Sequence, residues 1–559
     1  MAKKGITLTL GCLLLTLFLG DSAKGQALAA GGYPNSTEAT SSRWMVTCGM
    51  DRFESGAETG IIETRSGDLV VATSTRSQGA GHLDLWILRF TPKGKIKWER
   101  TYGGSSREDT PAIRQTRDGG LIVAGVTESF GAGGPDFWVL KLRPSGKIQW
   151  QRAYGGPGLD WGYAIQETSD GGYVVAGRTE SYGAGSTDYW VLKLTSSGEI
   201  EWQKAYGGSG AEFALSIQET NDSGYIVAGF TGSFGAGDRD FWILKLTPSG
   251  DIEWQHTYGG TASEWATSIA TTRDGGYVVA GVTHEFSIPG ITWILRLTSS
   301  GNIKWQRAYG GTFMDYPWDV KQTVDSGFIV AGYTESFGRL LDSFLLKLNP
   351  AGRVKWHRTY GDWYDETAFS VQQIRDGGFV AAGGTNSFGA GADDWDLFLL
   401  KLSRAGTLGT ESELIGNPRT RVEKTRYSPV DTSVTPLVTD AVPQRTAGRS
   451  RKTKARTNVL FIGSQPLPAP PMELTASAIS GNAVRLSWKD LSNLEKGFRV
   501  ERKQDGGGEW KEIELVKRNK TGCQDTGLES GALYKYRVRA FNRDGFSPYS
   551  NVAEIDIRR

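Results

Sequence analysis

The stretch IQWQRAYGG, Ile148 to Gly156, returns 52 residues later as IEWQKAYGG, Ile200 to Gly208. A tryptophan followed four residues later by a tyrosine recurs along the chain at intervals of 51 or 52 residues. The tryptophans are Trp98, Trp150, Trp202, Trp254, Trp305 and Trp356, and the tyrosines are Tyr102, Tyr154, Tyr206, Tyr258, Tyr309 and Tyr360. A fixed interval of this length indicates a structural repeat that packs on copies of itself.

A second signature lies between successive copies of the first. It starts with an aspartate, continues with Gly-Gly or Ser-Gly, and leads into an apolar run, as in DGGYVVAG at Asp170. The aspartates are Asp118, Asp170, Asp222, Asp274, Asp325 and Asp376. An earlier and more divergent copy, SGDLVVAT, starts at Ser66. The sequence therefore predicts seven repeat units.

Each unit contains four strand-like runs bounded by Gly, Pro, Asp and Ser. In the third unit they are YAIQET from Tyr163, YVVAGRT from Tyr173, DYWVLKL from Asp188 and EIEWQKAY from Glu199. The second and third runs are apolar at successive positions, which is typical of strands covered on both faces. The fourth run alternates, which predicts a half-exposed edge strand. We therefore expect four-stranded sheets that pack against one another.

The predicted fold is all-β: a seven-bladed β-propeller over residues 43–404, because units of about 50 residues with four strands are typical of that architecture. A parallel β-helix is the alternative. After Ala405-Gly406 the last unit has no fourth strand, whereas Trp44 to Gly49 fits the pattern of that strand with Cys48 in the tyrosine position. The N-terminal strand is thus predicted to complete the last blade, which removes the open sheet edges.

Composition and charge narrow the function classes. The chain has 559 residues with 75 Gly, 19 Trp, 20 Tyr and 22 Phe, a profile typical of many short strands. A formal net charge of +2 offers no basic field for nucleic acid. The cysteines Cys12, Cys48 and Cys523 are too far apart for a disulfide framework or a zinc site. We expect no cofactor and no metal.

The first 29 residues resemble a secretory signal peptide. Lys3 and Lys4 precede an apolar run from Ile6 to Leu19, and Ala27-Leu28-Ala29 provides a small-residue cleavage site. An uncleaved anchor and a lipid attached at Cys12 are the alternatives. The prediction is a monomer that is secreted or periplasmic, with cell-surface attachment as a variant, and that has no membrane span after cleavage.

From Trp44 to Leu402 the chain resembles the Gly-rich propeller repeats of secreted bacterial and archaeal proteins, through the motif W-x-x-x-Y-G-G followed by D-G-G-Y-x-V-A-G. The resemblance implies a fold whose members serve as binding platforms or have no assigned role. Residues 405–465 change to Thr, Pro, Ser and Arg without periodicity and are predicted to be a linker. The linker includes the basic stretch RSRKTKAR, Arg449 to Arg456, interpreted as a solvated tether.

Residues 466–557 resemble a fibronectin type III domain. The resemblance is carried by PAPPMELTA, by LSW with Trp488 as the expected core tryptophan, by GFRVERK from Gly497 and by YKYRVRAFN from Tyr534. It implies that Tyr534 forms the tyrosine corner of such domains. The proline often found before this tyrosine is replaced by Gly531.

Several kinds of catalytic site find no support in the sequence. The histidines His82, His256, His284 and His357 fall in different units, show no metal-binding spacing and are expected at the surface. No G-x-S-x-G motif is present, and the aspartates of the DGG turns are interpreted as turn-stabilising residues. We therefore expect no catalytic residue.

One recurring pair of residues is a candidate binding site. Six residues after each repeat tyrosine stands an acid, and in four successive units an aromatic residue follows it. The candidate residues are Asp160, Trp161, Glu212, Phe213, Glu264, Trp265, Asp315 and Tyr316. Carboxylates accept sugar hydroxyls and aromatic rings stack on pyranoses, so the pairs suit a glycan or protein ligand. The competing interpretation is that the acids, which extend to Glu108 and Glu366, are hydrogen-bonded elements of the fold.

The sequence thus favours an exported, non-enzymatic binding, adhesion or scaffold protein whose propeller face docks an extracellular glycan or protein. The alternative is a propeller-type glycoside hydrolase or lyase with a fibronectin type III spacer. An enzyme would concentrate unique acids and bases at one pocket, whereas the acids here recur almost uniformly. The loops HEFSIPGITW from His284 and FGRLLDSF from Phe337 depart from the repeat and predict an asymmetric ring.

Overall fold

The structure is a computed structural model that describes residues 43–49, 54–77, 79–285, 290–337, 340–361, 364–388, 395–408, 470–491, 495–505, 510–542, 545–547 and 549–557, together with short strands between 415 and 463. These described residues form β-strands and turns and contain no helix. The predicted signal peptide, residues 1–29, lies outside them. No described segment is a helix long and apolar enough to span a membrane.

Before residue 409 the described strands form seven sheets, which we number sheet 1 to sheet 7 by the order of their first strands. All pairings within these sheets are antiparallel, and each sheet joins strands in the order first, second, third, fourth. The first strands are Glu54–Glu63, Glu108–Gln115, Asp160–Glu167, Glu212–Glu219, Glu264–Thr271, Asp315–Gln322 and Glu366–Gln373. The second strands are Leu69–Thr75, Leu121–Thr127, Tyr173–Thr179, Tyr225–Thr231, Tyr277–Thr283, Phe328–Thr334 and Phe379–Thr385.

The third and fourth strands complete the repeat. The third strands are Asp84–Phe90, Asp136–Leu142, Asp188–Leu194, Asp240–Leu246, Ile291–Leu297, Asp342–Leu348 and Asp396–Leu402. The fourth strands are Ile96–Gly103, Ile148–Tyr154, Ile200–Tyr206, Ile252–Tyr258, Ile303–Gly310, Val354–Tyr360 and, in sheet 7, Arg43–Gly49. Second and third strands are buried along nearly their whole length, as their unbroken apolar runs predict.

The N-terminal strand pairs with the last sheet, as the sequence predicts. Val46 lies opposite Leu399 and Cys48 opposite Leu397. The first strand of sheet 1 also contacts sheet 7, because the Glu63 N–H donates to Gln372 Oε1 at 2.9 Å. The first and last sheets of the series are therefore neighbours.

The W-x-x-x-Y motif joins each sheet to the next one. Because side chains four residues apart lie on the same face of a strand, both aromatic rings reach the same neighbouring turn. In sheet 3, the indole N–H of Trp202 donates to the carbonyl of Pro248 at 3.0 Å, and the hydroxyl of Tyr206 donates to the carbonyl of Gly250 at 2.6 Å. Trp44 of the N-terminal strand makes the same bond to Pro92 of sheet 1 at 3.1 Å. The recurring motif is thus an intersheet fastener.

The predicted linker departs from the expected tether in its described parts. Its short strands each pair with the fourth strand of a sheet, so that strand does not form the outer edge there. They are Ile415–Gly416 on sheet 6, Arg421–Lys424 on sheet 5, Val430–Asp431 on sheet 4, Leu437–Val438 on sheet 3, Gln444–Arg445 on sheet 2, Arg449–Lys452 on sheet 1 and Arg456–Gly463 on sheet 7. Backbone pairing needs no apolar period, which is why the sequence did not reveal it.

The C-terminal region folds into two sheets. One contains Met472–Ser480, Ala483–Lys489 and Gly522–Thr526, and the other contains Lys511–Lys517, Gly497–Gln504, Leu533–Asn542, Gly545–Phe546 and Ala553–Asp556. Trp488 is buried against Phe498 in the core between them, as expected. The N–H of Glu529 donates to the Tyr534 hydroxyl at 3.1 Å, so this tyrosine lies at the predicted corner.

Candidate ligand-binding face

The candidate residues lie where the first strand of each sheet begins and the second strand ends. The antiparallel register brings these ends together, with Asp160 opposite Thr179 and Trp161 opposite Arg178 in sheet 3. The glycine-rich loops between second and third strands start at the same ends. One end of each sheet therefore carries all the predicted candidates.

The predicted acids are buried parts of the fold. Asp160, Glu212 and Glu264 are fully buried, and Asp315 is nearly so. Glu212 accepts hydrogen bonds from the N–H of Gly208 and the hydroxyl of Thr231, both at 2.9 Å. These carboxylates accept hydrogen bonds from within the fold, as the competing interpretation predicts, although Asp160 Oδ1 is buried without a partner among the described residues.

The same pattern holds in the other candidate units. Asp160 accepts from the N–H of Gly156 at 2.8 Å and from the hydroxyl of Ser181 at 2.6 Å. Asp315 accepts from the hydroxyls of Thr334 at 2.5 Å and Ser336 at 2.7 Å. Glu264 accepts from the N–H of Gly260 at 2.9 Å and from Thr283 at 3.0 Å. The acids close the tight turn that follows the repeat tyrosine.

A second buried aspartate, at the start of the third strand, faces the acid of the next sheet. Asp136 accepts from the N–H of Ala132 at 2.8 Å, and burial raises its pKa to about 7, with the nearby Asp160 carboxylate adding to the shift. Burial likewise raises the pKa of Asp188 to about 6, to which Glu212 contributes. A side chain at Gly155 would collide with both Asp136 and Asp160, which explains the glycine after the repeat tyrosine.

The DGG aspartates serve at the opposite ends of these strands, as the turn interpretation predicts. Asp118 accepts from the N–H of Gly120 at 2.9 Å and pairs with the buried Lys141 ammonium at 2.8 Å. Although burial alone would raise it, the hydrogen bond from Lys141 lowers the pKa of Asp118 to about 2. This aspartate stabilises a turn and a buried lysine together.

Two of the candidate aromatic residues form a cluster with arginines. The guanidinium carbon of Arg178 lies 5.2 Å from the Trp161 ring centre and 4.4 Å from that of Phe213. Arg107 lies 5.4 Å from the same Trp161 ring. Trp161 is 7% and Phe213 6% exposed, so neither offers an open face for stacking on a sugar. Arg239 contacts the ring of Phe230 in the same way. We call Arg107, Trp161, Arg178, Phe213, Phe230 and Arg239 the arginine cluster.

The other two aromatic candidates contact each other directly. Trp265 and Tyr316 stack with ring centres 5.9 Å apart and planes 22° apart, and both remain partly exposed. The ring centre of His284 lies 5.0 Å from that of Trp265, and its Nδ1 donates to the carbonyl of Ser263 at 2.8 Å. Tyr333 adds a further ring 5.4 Å from Tyr316. We call these four residues the tyrosine cluster.

The residues that distinguish these clusters do not follow the repeat, so the recurring sequence pattern does not reveal them. Arg107, Arg178 and Arg239 occupy three different positions of the repeat. One sequence position does indicate Arg178, because its residue type varies among the units. At the position before the last threonine of the second strand, the seven sheets carry Ser74, Val126, Arg178, Phe230, Val282, Tyr333 and Gly384. Arg178 is the charged member of that series.

One histidine prediction is wrong. His357 is buried rather than at the surface, between Phe337 and Phe344 with ring centres 5.3 Å away in both cases. Burial lowers its pKa to about 3, so it is neutral. Across the described part of the chain, no three His, Cys, Asp or Glu side chains are grouped to hold a metal ion. The loop residues 286–289 and 338–339 of the two predicted irregularities lie outside the described residues.

Comparison with known proteins identifies the C-terminal region. Residues 469–556 match the fibronectin type III domain family. A Fn3-like protein from Clostridium thermocellum is 30% identical over 16% of this chain and 90% of that chain, with a TM-score of 0.14. Titin module A71 from human cardiac muscle is 24% identical over 16% of this chain and 93% of its own, with a TM-score of 0.15.

A third similar structure is the twitchin kinase region from C. elegans, 28% identical over 17% of this chain, with a TM-score of 0.16. This chain covers only 18% of that protein. The family match and the core around Trp488 agree with the resemblance seen in the sequence. Through residues 469–556, the chain belongs to the fibronectin type III family.

Proposed function

We propose that this chain is an exported, non-enzymatic binding protein in which a seven-bladed β-propeller presents a glycan-docking face and a fibronectin type III domain follows it. The observation that carries the proposal is that acidic and aromatic residues at one end of the sheets differ in exposure. The recurring carboxylates are buried in the fold, whereas Trp265 and Tyr316 keep partly exposed rings beside them. Aromatic surface held on a rigid base is suited to sugar rings.

Three observations support a closed propeller. The N-terminal strand supplies the fourth strand of sheet 7, and Trp44 fastens that sheet to sheet 1 through Pro92. Burial lowers the pKa of Arg114 on sheet 2, and the carboxylate of Asp319 on sheet 6 opposes this shift. This interaction between two sheets distant in the series supports a ring whose first strands face one interior.

Export is inferred from the N-terminal leader pattern and from the accompanying module. Fibronectin type III domains are common in extracellular proteins. In an extracellular binding protein, several weak contacts on one face would add through avidity. The proposed ligand is accordingly a cell-surface or matrix glycan, with a protein ligand as the variant.

The alternative of a glycoside hydrolase or lyase has less support. Such an enzyme needs two accessible carboxyl groups flanking the scissile bond. Asp136 has a pKa near neutrality, as a catalytic acid would, but its carboxyl is fully buried: one oxygen accepts from the N–H of Ala132, and Oδ1 has no hydrogen-bond partner among the described residues. The perturbed acids therefore favour a structural role.

The test is a glycan array probed with the full chain, the Trp265→Ala variant and the Leu515→Ala variant. Leu515 is 55% exposed on the fibronectin type III domain and serves as the matched control for loss of surface apolar area. We expect defined glycans to bind the full chain and the control, and the Trp265→Ala variant to lose roughly tenfold in affinity, the value of one stacking contact. Equal binding by both variants, or turnover of a glycan, would contradict the proposal.

A further inference from the structure

Arg178 is an arginine at a position where the repeat does not call for one. It stands next to the last residue of its second strand, with its backbone opposite Trp161 on one side and Tyr189 on the other. The corresponding residues of neighbouring sheets 2 and 4 are Val126 and Phe230, which are buried and apolar. A cation here is not required by the fold of the repeat.

The surroundings of this arginine leave its charge without a counterion. Arg178 is 5% exposed, and its Nε is buried without a hydrogen-bond acceptor. Among the described residues, its recorded partners are the ring faces of Trp161 and Phe213. Burying a cation without a carboxylate is costly, and contacts with two rings offset only part of that cost.

The neighbouring arginines do not supply the missing anion. Arg107 pairs with Asp109 at 2.8 Å, so the charge of that carboxylate is already balanced. Arg239 lies 4.9 Å from the Phe230 ring, and desolvation lowers its pKa, opposed by Asp238. Three guanidinium groups thus meet one chain of aromatic rings, and the central one has no anionic partner of its own.

We propose that Arg178 binds the carboxylate of an acidic saccharide, which makes the arginine cluster the subsite for a uronic-acid residue of the ligand. This inference rests on the proposed glycan-binding function and names its ligand class. A planar guanidinium carries paired N–H donors that match a carboxylate, and contacts with the Trp161 and Phe213 rings hold this one in place. A carboxylate would supply the counterion that the described residues lack.

Charges around the cluster favour a saccharide over an acidic peptide. Glu128 and Glu180, each directly after the last threonine of its second strand, are exposed at the same strand ends. They would repel the closely spaced carboxylates of an acidic peptide, whereas a chain of uronic acids has one carboxylate per ring and hydroxyls that can donate hydrogen bonds to Glu128 and Glu180. A ligand with one carboxylate per ring and many hydroxyls fits both features.

The experiment titrates the full chain with a trimer of galacturonic acid and with its methyl ester, which removes the charge but keeps the sugar. Calorimetry is repeated for Arg178→Met, Arg178→Lys and Arg143→Met. Arg143 is exposed in the turn after a third strand, so its variant matches the charge change away from the cluster. We expect the acid to bind and the ester to bind about tenfold to a hundredfold more weakly, with the same loss in Arg178→Met and none in Arg143→Met.

The Lys variant keeps the charge but loses the planar fork, so an intermediate affinity is expected. If Arg178→Met does not fold, the comparison of acid with ester and the Lys variant still decide. Equal affinity for acid and ester, or an unchanged Arg178→Met, would overturn the inference while leaving neutral-glycan binding on the array intact. Binding of an acidic hexapeptide in place of the trimer would overturn it too, and binding of neither to a chain that also fails on the array would reject the proposed function itself.

Discussion

The arginine cluster and the tyrosine cluster occupy the same ends of neighbouring sheets but differ in chemistry. Beneath both, a carboxylate closes the turn after the repeat tyrosine: Glu212 under the arginine cluster and Glu264 under the tyrosine cluster. Above these acids, one cluster carries guanidinium groups and the other an imidazole and phenols. The turn-closing carboxylates recur because the fold requires them. The residues that differ between units are the ones available for ligand recognition.

The largest expected effect comes from removing the turn-closing carboxylate that both clusters share. Glu212→Ala and Glu264→Ala each leave a partly buried glycine N–H and a buried threonine hydroxyl without acceptors, so each should lower the free energy of unfolding by about 3 kcal/mol. Urea denaturation measures the change, and Glu→Gln at the same sites is the conservative control. Markedly unequal losses of stability at the two sites would contradict the hypothesis that the two carboxylates have the same structural role.

The next effect is a pH dependence that the two sides share. Burial raises the pKa of Asp136, beside Asp160, to about 7, and it also raises the pKa of Asp240, beside Glu264. A raised carboxyl pKa means that the folded state holds the proton more tightly, so its stability contribution is present in acid and is lost as the pH rises from about 4 to about 7. Three pKa units correspond to about 4 kcal/mol, and relaxation and water penetration around the carboxyl reduce this, so we expect a decline on the order of 2 kcal/mol.

Thermal denaturation between pH 4 and pH 8 checks this slope, with Asp136→Asn as the variant that should flatten it. The DGG aspartates act in the opposite sense, because the pKa of Asp118 is held at about 2 and its contribution is lost as the pH falls from about 4 to about 2. Maximal stability is therefore expected near pH 4 to 5. A stability that rises steadily toward pH 8 would contradict the assignment of Asp136.

The smallest expected effect concerns the residue that distinguishes the two clusters. Arg178→Val gives sheet 3 the side chain that sheet 5 has as Val282. Losing two cation–π contacts costs stability, but removing an uncompensated buried charge restores it, so the net change should be within about 1 kcal/mol. Urea denaturation would sharpen the comparison, and a loss as large as that of Glu212→Ala would make Arg178 a structural residue.

Features that recur in every repeat unit could be predicted from the sequence, whereas features that occur once could not. Seven copies make the strand pattern visible, and the pairing of Val46 with Leu399 follows from one missing strand at the end and one spare strand at the start. The short strands from 415 to 463 escaped notice because backbone pairing imposes no side-chain period. Of the candidate site, Trp265 and Tyr316 are partly exposed.

The burial of Asp160 and Glu212 could not be read from their spacing, because an acid at a turn looks the same whether it faces solvent or the N–H groups of its own turn. The grouping of the three arginines could not be predicted for a different reason. They lie at unrelated positions of the repeat and meet only through Trp161, Phe213 and Phe230 in three dimensions. A search for departures from the repeat, rather than for its recurrences, would have found Arg178.

The pairing of Arg43–Gly49 with Arg456–Gly463 also has a mechanical consequence. Arg43 lies opposite Gly463 and Gly49 opposite Arg456, so the incoming and outgoing chain segments leave this strand pair at the same end. Tension that draws these two segments apart would load the hydrogen bonds one after another from that end, like a zipper, instead of shearing all of them at once. Under such a pull the outer strand would peel away at low force, while Arg43–Gly49 would still be held by its register with Asp396–Leu402 on the other side.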